Sequence, residues 1–184
     1  MLILIRPMTA FLESYRKACE ETYGYVHNSY ILHDPSKFQD WSKTIFQQYQ
    51  NEENGIGLPE GYVPSVTLWA VDTDTNEYVG TVNIRLALTE QLRDYGGQAG
   101  FMIRRSFRGR GYARILLRLL MKEAGKREID PLLLTCIDSN LASLRTLQHF
   151  VAEKIETAET YADGVFCPIH RFYFRTDKII PEIE

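Results

Sequence analysis

The segment that most constrains the fold of this chain is Gln98–Met121, where a strand-like stretch, a glycine turn and an amphipathic pattern follow one another directly. Gln98–Ile103 has the composition of a β-strand, and Gly109 and Gly111 then interrupt the apolar pattern. Beyond the glycines, apolar residues recur at helical spacing, which predicts a helix that begins within Gly109–Ala113. Its predicted buried face consists of Ala113, Leu116, Leu117, Leu120, Met121 and Ala124. A strand that passes directly into a helix indicates a domain that mixes both elements.

The rest of the chain also alternates between strand-like and helix-like segments. Composition and period-two alternation predict strands at Leu2–Arg6, Ser65–Val71, Tyr78–Leu88 and Pro131–Ile137, and a C-terminal hairpin from Val151–Ala162 and Ile169–Thr176. Helices are predicted at Ala10–Tyr23 with Thr9 as N-cap, from Asp34–Pro35 through Gln50, and at Leu141–Phe150. The order β-α-α-β-β-β-α-β-α-β-β predicts a mixed α/β domain.

The first half of the chain contains a candidate core face and a long loop. One face of the second predicted helix collects the apolar residues Phe38, Trp41, Ile45, Phe46 and Tyr49. We therefore expect Trp41, and also Trp69 in the following strand, to belong to the core. Asn51–Pro64, with three glycines and two prolines, is predicted to be a loop. Its length favours a functional wall or lid.

Length, charge and cysteine content narrow the class of protein. A chain of 184 residues is predicted to form a single domain over residues 1–184. A net charge of −3 gives no global basic field for non-specific nucleic-acid binding. Cys19, Cys136 and Cys167 are odd in number, and neither they nor the four histidines show metal-ligand spacing. No apolar run is long enough for a signal peptide or a membrane span. We therefore expect a cytoplasmic protein with reduced thiols, no metal, and no nucleic-acid or membrane partner.

The glycine turn carries an unusual density of cations for an acidic chain. Arg104, Arg105, Arg108, Arg110 and Arg114 lie around the two glycines. A helix start already exposes unpaired N–H groups and partial positive charge, so cations there are unfavourable unless an anion binds beside them. Glycines allow a ligand close to the backbone, and guanidinium groups suit phosphate oxygens. The pattern predicts a phosphate site, with a solvated basic helix start as the alternative.

Two common phosphate-binding motifs do not fit this turn. A Walker loop needs a Lys-Ser/Thr pair after its glycines, which is missing here. A dinucleotide-binding fingerprint needs a third glycine where this chain has Arg114, and no βαβ unit precedes the turn. The sequence RGRGYA, Arg108–Ala113, instead resembles the [Q/R]-x-x-G-x-[G/A] turn of the GNAT superfamily of N-acetyltransferases, which binds the pyrophosphate of coenzyme A.

The resemblance extends over most of the chain. Ile5–Pro7, the segment 98–121, the strand at 131–137 and SNLAS at 139–143 occur in the order and spacing of that superfamily. Longer stretches resemble a bacterial subgroup of predicted acetyltransferases. The resemblance implies an α/β (α+β) GNAT fold, with a mixed central sheet of about six to seven strands flanked by about four helices.

The resemblance also implies a set of cofactor-binding residues. The backbone of Phe101, Met102 and Ile103 would bind the pantetheine arm, with one N–H group near the oxyanion. The pyrophosphate would be held by Arg108, Gly109, Arg110, Gly111, Tyr112, Ala113 and Arg114. Asn140 would bind the cofactor beyond the next strand, and it also suits a turn or helix cap.

The positions at which many relatives carry their acid and base hold non-ionisable residues here. They are Leu147, Thr135 and Gln98. Residues that offer other acid or base groups are Tyr173, His170, Tyr161, Asp94 and Glu77. The sequence assigns a catalytic role to none of them.

The resemblance implies an acetyl-CoA-dependent N-acetyltransferase that acts on a primary amine of a small molecule or peptide. The amine would attack directly in a ternary complex. Because the usual acid and base are missing, a catalytically inactive module that binds or senses acyl-CoA is the alternative. A third hypothesis is RNA binding by the arginine patch, which offers only Phe107 and Tyr112 for stacking. A homodimer is compatible with the resemblance, since relatives are commonly dimers.

Overall fold

A computed structural model describes residues 1–22, 33–162 and 165–177 of the chain. The chain divides into two compact units. The first comprises Met1–Leu86 and Phe101–Leu116, and the second comprises Ala87–Gly100 and Leu117–Glu184. Each is described by itself below, and the single domain over residues 1–184 stays a prediction.

The first unit is built on a four-stranded sheet with the order β1-β2-β3-β4. The strands are β1 (Leu2–Ile5), β2 (Ser65–Asp72), β3 (Glu77–Arg85) and β4 (Ala99–Ile103), and the first two residues of β4 belong to the second unit. β2 runs antiparallel to both β1 and β3, and Trp69 lies opposite Ile5 and Thr81. β3 ends before the predicted Leu88, and Leu86 is 42% exposed. The predicted inner face of this strand therefore ends at Ile84.

One aromatic core fills the space between this sheet and three helices. The helices are α1 (Leu12–Thr22), α2 (Phe38–Trp41) and α3 (Ile45–Glu53). The fully or nearly buried members of the core are Tyr15, Ala18, Cys19, Trp41, Ile45, Trp69, Val71, Tyr78 and Met102. Phe38, Phe46 and Tyr49 pack against them, so the predicted apolar face is confirmed. The ring of Tyr15 stacks on Trp69 at 4.5 Å, which confirms that Trp69 is a core residue.

The starts of these helices differ in part from the sequence prediction. The N-cap prediction for Thr9 is wrong: Met8 has the extended backbone, and Thr9 is already the first residue of a 3₁₀ turn, Thr9–Phe11. Asp34 is confirmed as a cap, because its side chain accepts a hydrogen bond from Ser36 N at 2.9 Å. The second predicted helix is divided into α2 and α3 by a turn at Ser42–Thr44. Tyr23, the predicted end of the first helix, lies outside the described residues.

The second unit contains a three-stranded antiparallel sheet with the order β5-β7-β6. The strands are β5 (Leu132–Ile137), β6 (Lys154–Ala162) and β7 (Val165–Phe174), and the helices are α4 (Glu90–Asp94) and α6 (Leu141–Leu147). β6 and β7 pair along their full length, which confirms the predicted C-terminal hairpin. Thr89 caps α4 by accepting a hydrogen bond from Leu92 N at 3.2 Å.

The predicted helix after the glycine turn is α5 (Tyr112–Gly125), which starts in the first unit and continues into the second. Five of the six residues of its predicted inner face are confirmed, since Leu116, Leu117, Leu120, Met121 and Ala124 are 0% exposed, whereas Ala113 is only half-buried. The described ranges thus hold seven strands in two sheets and six α-helices. This confirms the predicted α+β class. One of the two additional helices results from the division of the second predicted helix, and the other, α4, is too short for its periodicity to be visible in a sequence.

Three global expectations concern cysteines, metals and membranes. Cys19, Cys136 and Cys167 are all unpaired, and the first two are buried. The described ranges contain no group of three or more potential metal ligands. None of the helices described is long and apolar enough to cross a membrane.

Candidate functional site

The glycine turn between β4 and α5 is open on its outer side. A 3₁₀ turn, Arg105–Phe107, precedes it, and Gly109 and Gly111 adopt φ values of +74° and +81°. Glycine is the residue that tolerates this left-handed conformation. A Cβ atom placed on either glycine would meet no atom within 4 Å. The backbone of the turn is therefore accessible to a ligand.

The turn presents unpaired donors at the positive end of a helix. Among the described residues, the N–H groups of Gly109, Arg110 and Gly111 have no hydrogen-bond acceptor. In the first turn of α5, Arg114 N donates to Gly111 O at 3.2 Å, whereas Tyr112 N and Ala113 N have no acceptor among the described residues. α5 has 14 residues, so its aligned peptide dipoles place partial positive charge at this end. These features fit an anionic group of phosphate size.

Four of the five predicted arginines remain at the surface near the turn. Arg105, Arg108, Arg110 and Arg114 are exposed. Arg108 Nε also donates to Ile103 O at 3.0 Å, which links the start of the turn to the end of β4. The guanidinium of Arg110 lies 5.4 Å from the ring centroid of Phe107.

The prediction that Arg104 joins this anion site is wrong. Its side chain is 6% exposed and is turned into the first unit. Arg104 Nη2 donates to Glu21 Oε1 at 2.6 Å, and Nη1 donates to Glu77 Oε1 at 3.3 Å and to Ser14 Oγ at 3.2 Å. α1 and β3 supply these two carboxylates, which lie far from Arg104 in the sequence. The guanidinium is therefore already neutralised by protein groups.

The predicted pantetheine-binding residues occupy the end of β4. Met102 and Ile103 are each 7% exposed, and Phe101 is half-buried. β3 approaches the backbone of this strand closely, because a Cβ atom on Gly80 would lie 2.2 Å from Met102 O. A glycine is therefore required at position 80 for β4 to keep its place. Phe101, Met102 and Ile103 thus lie in the same unit as the whole glycine turn.

Tyr112, the first residue of α5, ties the turn to β2. Tyr112 Oη donates to Asp72 Oδ2 at 2.6 Å. Asp72 Oδ1 accepts hydrogen bonds from the Met1 ammonium at 2.9 Å and from Asp74 N at 3.0 Å. The pKa of Asp72 falls from its ordinary value of 3.8 to about 2, and the Tyr112 hydroxyl is the largest cause. The same bond raises the pKa of Tyr112, so its hydroxyl stays protonated.

Asp72→Asn is expected to remove a pH-dependent part of the stability. Because the pKa of Asp72 lies below its ordinary 3.8 in the folded chain, its contribution is complete above that value and is lost toward a pH of about 2. The difference between wild type and variant in free energy of unfolding should therefore vanish over this interval. Urea unfolding from neutral pH down to a pH of about 2 measures the difference. A constant difference across the interval would contradict the assignment.

Asn140 lies in the second unit and caps α6. Its Oδ1 accepts a hydrogen bond from Ser143 N at 3.2 Å. The helix-cap role is therefore confirmed, and the side chain remains exposed. Its role in cofactor binding stays a prediction.

The three positions at which relatives carry acid and base offer no titratable group. Leu147 is 1% exposed and Gln98 is 7% exposed. The hydroxyl of Thr135 accepts a hydrogen bond from Gly96 N at 3.1 Å. Each of these residues has a packing or hydrogen-bonding role within the second unit.

Most of the other acid and base candidates are engaged in ion pairs or hydrogen bonds. Tyr173 Oη donates to Glu156 at 2.8 Å, and burial together with this carboxylate raises the pKa of Tyr173. His170 lies between Asp138 and Thr157, at 3.1 Å from each. Asp94 accepts from Arg171 at 3.0 Å, and Glu77 pairs with Arg104. Tyr161 is 71% exposed, with its ring against Phe166.

The structure also shows a polar cavity in the first unit that the sequence did not predict. Its volume is about 420 Å³. The residues that line it are Arg6, Pro7, Phe46, Tyr49, Gln50, Glu53, Asn54 and Thr67. Arg6 forms a bidentate ion pair with Glu53, in which its two Nη atoms donate to the two carboxylate oxygens. The predicted loop Asn51–Pro64 begins only at Asn54, because Asn51–Glu53 form the last turn of α3. Its predicted role as a wall or lid stays a prediction.

The family comparison decides the class of this protein. The family model described as an acetyltransferase (GNAT) domain matches residues 3–150. The chain belongs to the GNAT acetyltransferase family. It is therefore an acyltransferase of the acetyl-CoA-dependent N-acetyltransferase class. β6 and β7 follow the part of this GNAT chain that the family model matches.

Solved structures of other GNAT acetyltransferases share the fold at low sequence identity. RimL, a ribosomal L7/L12 α-N-protein acetyltransferase in complex with coenzyme A, matches with a TM-score of 0.63 and 16% identity over 95% of this chain and 93% of its own. The microcin C7 self-immunity acetyltransferase MccE, in complex with acetyl-CoA and AMP, matches with a TM-score of 0.60 and 15% identity. The match covers 95% of this chain and 92% of MccE. The ribosomal-protein-S5-alanine acetyltransferase of Vibrio fischeri matches with a TM-score of 0.60 and 14% identity, over 96% of this chain and 92% of its own. No curated protein sequence matches this GNAT chain.

Proposed function

We propose that this GNAT enzyme transfers the acetyl group of acetyl-CoA to a primary amine of a small molecule or peptide, by direct attack in a ternary complex. The observation that carries the proposal is the open glycine turn at the start of α5, with unpaired N–H groups at Gly109, Arg110 and Gly111. Coenzyme A and acetyl-CoA are the ligands named for the RimL and MccE structures.

Each part of the candidate site has a role in this proposal. Residues 108–114 bind the pyrophosphate through backbone N–H groups and guanidinium charge. The backbone at Phe101–Ile103 orients the pantetheine arm, with one N–H group aimed at the carbonyl oxygen of the acetyl group. Asn140 contributes a further polar contact. When bound, acetyl-CoA supplies an activated acetyl thioester.

The chain's own contribution to the chemistry is orientation rather than strong proton transfer. Leu147, Thr135 and Gln98 cannot act as acid or base at the usual positions. Holding the amine and the thioester in the reactive geometry can by itself lower the barrier by about 7–11 kcal/mol. In this mechanism the acceptor ammonium loses its proton to solvent before attack.

This mechanism predicts a characteristic pH dependence. Only the free amine attacks, and an alkylamine such as lysine has a pKa of about 10.4. The value of kcat/KM for such an acceptor should therefore rise about tenfold per pH unit from pH 6 to pH 9. Initial rates of CoA release over this range measure it. A plateau that begins between about pH 6 and pH 8 would show that a residue of the enzyme acts as base.

The proposed function is tested by a screen of amines for acetyl-CoA-dependent release of CoA, with mass spectrometry of the products. The screen includes spermidine and peptides with free N-terminal amines, since SpeG of Vibrio cholerae and RimL are named for acceptors of these kinds. Binding of acetyl-CoA without transfer to any amine would instead support the acyl-CoA-sensing alternative.

A further inference from the structure

The described residues beside the glycine turn form one connected group around Phe107. Phe107 is 5% exposed. The guanidiniums of Arg104 and Arg110 each lie 5.4 Å from its ring centroid. The ring of Tyr112 meets it edge-on, with 5.6 Å between centroids. Phe107 thus joins a buried arginine, an exposed arginine of the turn and the first residue of α5.

The turn itself contains little that would fix its shape. Gly109 and Gly111 have no side chains, and the N–H groups from Gly109 to Gly111 have no acceptor among the described residues. It is held instead at its two ends. Arg108 Nε binds Ile103 O on one side, and Tyr112 Oη binds Asp72 Oδ2 on the other.

Asp72 is a rigid acceptor for this second contact. It is 5% exposed and lies in β2, where Leu2 and Glu77 face it on the two neighbouring strands. Asp74 N, in the turn after β2, fixes its other oxygen at 3.0 Å. A hydrogen bond to a charged acceptor of this kind is stronger than one between neutral groups. The start of α5 is therefore anchored to the sheet by the hydroxyl group of Tyr112.

We propose that the hydrogen bond from Tyr112 to Asp72 is a positioning contact that sets the direction of the turn's N–H groups and of Arg110 before the pyrophosphate of acetyl-CoA binds. The inference rests on the proposed function. Tyr112 and Asp72 act through the backbone of the turn and do not need to touch the ligand. The contact affects binding of the pyrophosphate of the cofactor, whereas the thioester end is oriented by β4.

Tyr112→Phe tests the inference, because it removes the hydroxyl and keeps the ring that packs on Phe107. The Kd for CoA, measured by isothermal titration calorimetry on the full chain, should rise about tenfold, as expected for loss of one hydrogen bond to a charged group. S-acetylpantetheine has no pyrophosphate. Its kcat/KM as acetyl donor, with an amine found in the screen, should fall much less in the variant than that of acetyl-CoA.

Tyr78→Phe is the matched control. It removes a hydroxyl from the same unit, where Tyr78 Oη and Thr81 Oγ1 are 2.6 Å apart in the core. We expect this control to lower the melting temperature and leave the Kd for CoA unchanged. A double-mutant cycle with Asp72→Asn should show that the effects of the two substitutions on the CoA Kd are not additive.

The possible results separate the two proposals. If the wild-type chain does not bind CoA, the proposed function and the inference both fail. If wild type binds CoA and Tyr112→Phe binds it equally well, the inference alone is overturned. An equal loss for CoA and S-acetylpantetheine would also overturn it, because the substitution would then disturb the whole site.

Discussion

Gly111→Glu is expected to abolish the stabilisation of this chain by acetyl-CoA. Gly111 adopts φ +81°, and its Cβ would project into the open space where we propose that the pyrophosphate binds. A carboxylate there repels the ligand by several kcal/mol, so the Kd should rise at least about 100-fold. Acetyl-CoA at about 100 times its wild-type Kd should add roughly 2.7 kcal/mol to the stability of the wild type and almost nothing to that of the variant. Thermal unfolding with and without the ligand measures both.

Two matched variants separate charge from backbone strain. Gly61→Glu introduces the same side chain at the same φ of +81°, also with no atom within 4 Å, in the loop before β2. It should cost stability and leave the shift by acetyl-CoA intact. Gly111→Ala keeps the strain without the charge and should retain part of the affinity. If Gly111→Glu still shows the full ligand shift, the assignment of the turn to the pyrophosphate is wrong.

Arg104→Met is expected to have the largest effect on stability among substitutions of the arginine cluster. The guanidinium is buried, and its removal leaves the carboxylates of Glu21 and Glu77 without their cation. Breaking a buried ion pair typically costs about 3–5 kcal/mol. The Glu21 and Glu77 side chains are 29% and 42% exposed, so solvent compensates part of the loss. We expect a decrease of about 3 kcal/mol in the free energy of unfolding, measured by urea denaturation.

The neighbouring arginine supplies the control for this prediction. Arg105→Met replaces an exposed side chain, so its effect on the free energy of unfolding should stay within about 0.5 kcal/mol. A cycle with Glu21→Gln should show strong coupling to Arg104, since Glu21 accepts from two of its nitrogens. Equal stabilities of Arg104→Met and Arg105→Met would contradict the buried network.

The elements that the sequence predicted correctly are those whose signal is local. α5 has a period that places six apolar residues on one face, and five of them are fully buried. The glycines of the turn adopt left-handed conformations in a run of a few residues, where the motif can be recognised directly. The hairpin of β6 and β7 needs only a short connection. In each case the partners lie close together in the chain, so composition and spacing carry the information.

The assignment of the cofactor came from resemblance rather than from residue chemistry alone. Spacing and charge around Gly109 and Gly111 indicated a phosphate group, which many ligands carry. The match to the GNAT motif specified coenzyme A. Thr9 shows the limit of local rules: it has the right chemistry for an N-cap, but Met8 takes the extended position and Thr9 enters the turn.

By itself, the sequence determined the α+β class and the helix after the glycine turn, and it predicted an anion site at the start of that helix. Only the tertiary structure decided which arginines remain exposed near the turn. Arg104 was assigned to the ligand by its position in the cluster, yet Glu21, separated from it by 83 residues, pairs with it in the interior. The anchor of the turn, between Tyr112 and Asp72, likewise spans 40 residues. Ion pairs and hydrogen bonds depend on distances in space. Chain folding sets those distances between residues that no local pattern connects.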